Sequence, residues 1–259
     1  MAYNLIRVEK KQAGQVGEIV LASPPANIIT AEMMKELSQA LTEFQADPKC
    51  KLITIEGEGK HFSFGASVEE HKPELVNDML PGFHKLCGQI LQSPVPTLAK
   101  VKGLCLGGGF EVAMACTFVF AEEKAKFAVP EIQLAVFPPV ACVLLPLKVP
   151  EAIANRIILG GEQWTSTTLD QYGLVNQVAG DGGMDEMVAK FFETEFAKKS
   201  PQSLRIAHQA SRFVVTDHYN RYIGALEKLY LKDLMSTEDA KEGIQAFLDK
   251  REPQWKDAH

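Results

Sequence analysis

Cysteine is scarce and scattered in this chain. Cys50, Cys87, Cys105, Cys116 and Cys142 are odd in number, form no C-x-x-C pair and have no histidine at metal-ligand spacing. That excludes a disulfide framework or a zinc ribbon, and reduced, mostly buried thiols are expected. Positive charge is also short: 27 Lys and Arg face 33 Asp and Glu, a net charge of -6. Such a surface offers no general attraction to a nucleic-acid backbone, so no nucleic acid is expected as a partner. Long apolar runs are missing as well. The longest, Leu134 to Leu147, is broken by Pro138, Pro139 and Pro146 and is too short to span a bilayer. It reads as a buried wall, and no membrane partner is expected. Met1 to Lys11 lacks a basic segment followed by an apolar core and a cleavage site, which places the expected location in the cytoplasm.

What is present is an ordinary globular composition, 259 residues with 46% apolar and 23% charged. Ile6 to Val8 and Glu18 to Leu21 read as a hairpin-like opening. Thr30 caps a helix in which Met33, Leu37, Leu41 and Phe44 recur at helical spacing, and Asp47-Pro48 ends it before the strand Leu52 to Ile55. A looser helical pattern follows over Leu75 to Leu91, with strands at Thr97 to Lys102, Thr117 to Ala121 and Phe127 to Val129. Beyond about Lys148 the pattern turns helical. Met184 to Lys199 carries a broad apolar face that implies burial against the same chain or another subunit. Ser200-Pro201 opens a helix over Leu204 to Val215, and Ser236 to Asp239 resembles a capping box ahead of Ile244, Phe247 and Leu248. The fold class is α/β, with a core over residues 1–190 and a helical C-terminal region over 191–259.

The most informative stretch runs from Gly103 to Glu131, centred on Gly107-Gly108-Gly109-Phe110-Glu111. A strand, a glycine turn and a helix start bring backbone N–H groups close to a ligand, where the helix dipole favours negative charge. No Lys-Ser or Lys-Thr pair follows the glycines, which excludes a nucleotide phosphate loop. Glu111 lies in the first helical turn and Glu131 follows in Pro130-Glu131-Ile132, so two carboxylates can share one pocket whose amides stabilise an oxyanion. Gly57 to Ala66 is a second glycine-bearing loop directly after a strand and offers another amide. His61, His71 and His84 are the other acid-base candidates, but none sits in a catalytic motif and a structural or solvated role is expected.

In order and spacing, several segments resemble the crotonase superfamily, the enoyl-CoA hydratase and isomerase family, over essentially the whole chain. They are Pro24 to Thr30, Phe62 to Ser67, Gly103 to Glu111, Pro130 to Ile132, Tyr172 to Asn176 and Phe247 to Arg251. The resemblance implies a spiral of repeated β-β-α units and a C-terminal helical trimerisation region, assembled as a homotrimer or a hexamer of two trimers. It also implies a coenzyme A thioester substrate, with no separate cofactor and no metal. Carried over by position, the oxyanion amides fall on Ala66 and Gly108 and the two acids on Glu111 and Glu131. Ala26, Phe247 and Lys250 match coenzyme A contacts, the last two toward a neighbouring subunit.

Within the family the nearer resemblance is to hydratases of cyclic dienoyl thioesters in anaerobic aromatic degradation. The run from Phe62 to Pro73 replaces the commoner Phe-x-x-Gly-Ala-Asp-x-Lys-Glu-Met pattern, so Ser67 removes a charge and Glu69 a phosphate contact. Val136 to Cys142 replaces a Pro-Gly-Ala-Gly-Gly turn, which is expected to remove amide donors from a helix start and leave a drier pocket. Phe64, Ser67, His71, Phe137, Pro138 and Val140 are the expected substrate contacts. The sequence leaves open which glutamate is the acid. Rival readings are a linear enoyl-CoA or cyclohexene-carbonyl-CoA hydratase, a double-bond isomerase and an RNA-binding relative.

Overall fold

The computed structural model describes residues 3–256. β1 (Ile6–Lys11) and β2 (Val16–Leu21) pair antiparallel, Ile6 opposite Leu21 and Lys11 opposite Val16. This hairpin outruns its apolar residues because Glu9, Lys10 and Lys11 stay in the ladder on the sheet edge, where charge discourages further pairing. α1 (Ala31–Ala46) begins where Thr30 Oγ1 accepts the Met33 N–H at 3.2 Å, and it stops at Asp47, ahead of Pro48.

β3 (Leu52–Gly57), α2 (Val76–Leu91), β4 (Thr97–Val101), β5 (Leu104–Leu106), α3 (Gly108–Ala115), β6 (Phe118–Glu122) and β7 (Lys126–Ala128) follow. Then come α4 (Pro139–Lys148), α5 (Glu151–Gly160), β8 (Trp164–Thr165), α6 (Ser166–Gln171), β9 (Gln177–Ala179) and α7 (Met184–Glu195). α8 (Pro201–Lys228) runs into a wide π-helical turn, Leu229–Leu234, before α9 (Glu238–Leu248). α8 extends well past Val215 because Val215, Tyr219, Ile223 and Leu226 continue at helical spacing and pack on the main core.

The larger sheet has the order β1-β2-β3-β4-β6-β9, parallel from β2 onward. Its central strands alternate between two apolar layers. Ile53, Ile55, Ala99, Val101, Val119 and Ala121 join the main core with α1, α2 and α3. Leu52, Leu98 and Phe120 face the other way, onto Met184, Val188 and Phe192 of α7 and Phe196 beyond it. The broad apolar face of α7 is therefore spent within the chain. On that side Lys100 Nζ donates to Glu18 at 3.2 Å and Glu56 at 3.0 Å and pairs with Asp185 at 2.6 Å, so the buried ammonium is surrounded by its counter-charges.

The smaller sheet, β5-β7-β8, positions the site. The sequence reading runs one strand into the glycine turn. Instead Gly103, at φ +56°, redirects the chain after β4 so that β5 pairs in parallel with β7, Leu106 opposite Ala128. Two strand ends thereby leave the sheet side by side. No helix of the described residues is long and apolar enough to cross a membrane.

Candidate active site

The parallel register of β5 and β7 brings the two glutamates together. Gly107 N–H donates to Ala128 O at 2.8 Å where the strands end. From that point one chain turns into α3, carrying Glu111 in its first turn, and the other enters a short 3-10 turn, Pro130–Leu134, carrying Glu131. Both carboxyls line a cavity of about 490 Å³ walled by Ile28, Leu80, Phe83, Val136, Phe137 and Pro138. The wall is mainly apolar, as expected for a site that excludes water around reacting groups.

The two loops that carry the amides meet across missing side chains. A Cβ on Gly108 would lie 3.0 Å from Ala66 N and 3.1 Å from the Phe83 ring, so a side chain there would crowd the approach. Gly65, at φ +105°, makes the turn that sets Ala66 on the cavity wall. Among the described residues neither the Ala66 nor the Gly108 N–H donates a hydrogen bond within the protein. Gly108 is the first residue of α3, so its amide has no intrahelical acceptor and lies at the positive end of the helix. Two free donors beside paired carboxyls are an arrangement able to hold an oxyanion.

Asn27 and Ser63, quoted only as parts of motifs in the sequence, hold the Ala66 loop. Asn27 is fully buried at φ +46°, a conformation asparagine tolerates. Its Nδ2 lies within hydrogen-bonding distance of the Glu58, His61 and Phe62 carbonyls, at 3.0, 3.0 and 3.1 Å, and its Oδ1 accepts Ser23 N–H. Ser63 Oγ donates to Asn27 O at 2.8 Å and accepts Gly65 N–H at 3.0 Å, while Leu106 N–H donates to Ser63 O at 2.9 Å. This network fastens one amide loop to the strand that feeds the other.

The two carboxyls have different surroundings. Glu111 is 4% exposed, and its Oε1 accepts Ala141 N–H at 2.9 Å. Burial raises its pKa to about 7, while the Ala141 and Val140 amides pull it down. Among the described residues Glu131 Oε2 is buried without a partner, and burial followed by the charge on Glu111 pushes its pKa well above the ordinary carboxylate value. The pair is thus biased toward one ionised and one protonated member.

The amides that serve Glu111 correct one expectation. The segment Val136 to Cys142 is expected to remove amide donors from a helix start; α4 begins at Pro139, in the first position where no N–H is needed, yet the amides of Val140 and Ala141 stay in the site. The donors that remain reach Glu111 instead of open space. Val140 is correspondingly displaced from its expected role: its side chain is fully buried in the main core and off the cavity wall.

Phe64, Ser67, His71, Phe137 and Pro138 all line the cavity. His71 Nδ1 donates to Ser67 O at 2.7 Å, and burial lowers its pKa, so it sits as a neutral ring on the wall. His84 lies outside the cavity on α2 with Nδ1 2.8 Å from Glu227, and His61 Nδ1 accepts Leu104 N–H at 3.1 Å. Ala26 and Lys250 are off the wall; the Ala26 carbonyl accepts Phe64 N–H at 2.8 Å and Lys250 is exposed. Phe247, expected toward a neighbour, is half exposed at 55% and joins Leu248 on the lip of its own chain's cavity. Tyr230, in the π-helical turn, also faces the cavity, and nothing in its sequence surroundings singles it out.

The fold and the cavity define a crotonase-type acyl-CoA hydro-lyase, and residues 11–258 match the enoyl-CoA hydratase/isomerase family. The chain belongs to that family. It is 39% identical over 250 residues to the cyclohexa-1,5-dienecarbonyl-CoA hydratase of Thauera aromatica, covering 96% of each chain. To a probable enoyl-CoA hydratase of Bacillus subtilis it is 36% identical, covering 93% of this chain and 95% of the relative. Among solved structures, an enoyl-CoA hydratase from Mycobacterium avium superposes with a TM-score of 0.84 at 26% identity, covering 97% of this chain and 98% of that one.

Proposed function

We propose that this protein hydrates a conjugated cyclic dienoyl thioester, cyclohexa-1,5-diene-1-carbonyl-CoA, to 6-hydroxycyclohex-1-ene-1-carbonyl-CoA. The observation that carries the reading is the pairing of two buried carboxyls of unlike character with two unpartnered amides across one apolar cavity. The likeness to the Thauera aromatica enzyme supports the ring, as do the flat apolar walls contributed by Phe137 and Pro138.

Glu111, with two helix-start amides favouring its charged form, is the base; Glu131, unpartnered and beside a negative charge, is the acid. Water attacks the ring carbon beside the one bearing the thioester. One O–H bond breaks and its proton passes to Glu111 as the C–O bond forms. The displaced π electrons reach the thioester oxygen, where the Ala66 and Gly108 N–H groups meet the charge. They return to form a C–H bond at the far end of the diene with the proton of Glu131. Proton exchange between the two acids and solvent restores the starting state.

Acyl-CoA thioesters of the family need an oxyanion site in every case, so the acyl group is what the test must resolve. Purified protein given cyclohexa-1,5-diene-1-carbonyl-CoA, cyclohex-1-ene-1-carbonyl-CoA and crotonyl-CoA should hydrate the cyclic diene fastest, with oxygen from labelled water in the product. Faster turnover of crotonyl-CoA overturns the ring assignment, and product without solvent oxygen points to an isomerase. Assembly as a trimer or a pair of trimers is part of the same proposal and is read from light scattering.

A further inference from the structure

Tyr230 is 1% exposed, and its phenolic oxygen is buried without a hydrogen-bond partner among the described residues. A phenol shut away from water in this state costs free energy, about 1–3 kcal/mol for an unmet donor. Such a group on a cavity wall is a donor held for a ligand. Tyr230 stands on the wall that carries both glutamates, where Glu131 Oε2 is also buried without a partner among the described residues. The two line one cavity yet do not bond to each other, so the phenol's proton is left for an oxygen of the ligand.

The ring is held where that requires. Tyr230 sits in the wide turn Leu229–Leu234, in which Met235 N–H donates back to Tyr230 O at 2.9 Å. Its ring lies edge-on to Phe137 with centroids 5.3 Å apart, and the His71 ring is 6.4 Å away on another side. Burial, then the negative potential of Glu131 and Glu111, holds its pKa above the usual phenol value, so it remains a neutral donor while the carboxyls exchange protons.

We propose that Tyr230 binds the oxygen that adds to the substrate, donating its O–H first to the attacking water and then to the hydroxyl group of the product. This rests on the hydratase reading above and extends it to a third side chain touching the reacting atoms. The phenol keeps its own proton throughout, so the balance of the addition is unchanged. The role favours the hydroxylated thioester over its deoxy counterpart, because only the former carries an oxygen for the phenol to donate to.

The test uses Tyr230→Phe, which keeps the ring against Phe137 and removes only the oxygen. Four coenzyme A esters serve as probes: the hydroxycyclohexene and cyclohexane carboxylic esters, and 3-hydroxybutyryl and butyryl for the linear case. In the variant, affinity for the hydroxylated member of whichever pair matches the hydrated acyl group should fall about tenfold. Affinity for the deoxy member should stay within about twofold, and kcat should fall more than KM rises. Equal losses for both members, or none, overturn the role of Tyr230. Hydration of crotonyl-CoA alone by the wild type sinks the ring assignment while the linear pair still tests Tyr230. If the variant does not fold, the wild type alone decides: failure to bind the hydroxylated ester more tightly than the deoxy ester overturns the proposal.

Discussion

Glu111 Oε1 accepts the Ala141 N–H at 2.9 Å, which aims the start of one helix at a carboxyl in the first turn of another. The contact favours the charged form of Glu111, while Glu131 has no such donor for its buried Oε2. Glu111→Gln and Glu131→Gln should each lower kcat by about 100- to 10,000-fold, the usual worth of positioned acid-base groups. Binding of a saturated acyl-CoA should survive both changes, because the Ala66 and Gly108 amides remain. Steady-state rates with calorimetric affinities check this, and a near-normal kcat in either variant removes that residue from the mechanism.

The pH profile follows from the same asymmetry. Glu111 acts ionised and is raised to about 7, so the rate in the hydration direction should climb through that pH. It should fall again only in more alkaline solution, as Glu131 loses its proton. Stability runs the opposite way. A folded pKa above the unfolded one gives stabilisation that is complete below the unfolded value and lost as pH rises through about 7. Glu111→Gln should therefore melt higher than the wild type at pH 8, and the gap should close by pH 4. Thermal melts across that range check the sign.

Gly107 supports a sharper structural prediction. It sits at φ +50°, and a Cβ there would lie 2.7 Å from Glu131 Oε1. Gly107→Ala combines backbone strain of about 1–3 kcal/mol with a displaced Glu131 carboxyl. A modest drop in melting temperature with a large drop in kcat is expected, and a variant with full activity would show that Glu131 need not stand where it does.

Asn27→Ala tests the scaffold of the first amide. The side chain serves the carbonyls of Glu58, His61 and Phe62 and the N–H of Ser23, and its loss leaves buried acceptors unmet. A destabilisation of about 3 kcal/mol is expected from the unpaired groups. The Ala66 loop should lose its fixed position, so kcat should fall even at temperatures where the variant is folded. Denaturant titration and rates on the same sample separate the two effects.

The family segments make the glutamate pair, the glycine turn and the alternation of strand and helix legible in the chain, because each depends on local chemistry. Thr30, Ser200 and Thr237 accept N–H bonds at helix starts marked by the sequence. What stays hidden depends on distant partners. β5 is only Leu104–Leu106 and becomes a strand through pairing with β7, and Ala141 serves Glu111 through its backbone, which no residue type reveals. Tyr230 lies far along the chain in a turn whose hydrogen-bond pattern the sequence does not announce. The segment at 138–142 hides its donors for a related reason: Pro139 opens a helix as its first residue, and the Ala141 N–H that follows reaches Glu111.

Phe137 and Val140 separate wall from core within one short segment. Phe137 lines the cavity and packs edge-on against Tyr230, whereas Val140 is fully buried among core residues and absent from the wall. Val140→Ala removes two buried methyl groups and should cost about 2 kcal/mol of stability, leaving the ratio of cyclic to linear turnover unchanged. Phe137→Ala should widen the cavity beside the ring. Its flat wall is then lost to a cyclic acyl group but matters little to a short linear one, so kcat/KM for the cyclic diene should fall about tenfold or more relative to crotonyl-CoA, the scale of one misfilled apolar pocket. An equal effect on both substrates would place Phe137 with Val140, as packing that supports the site without reading the acyl group.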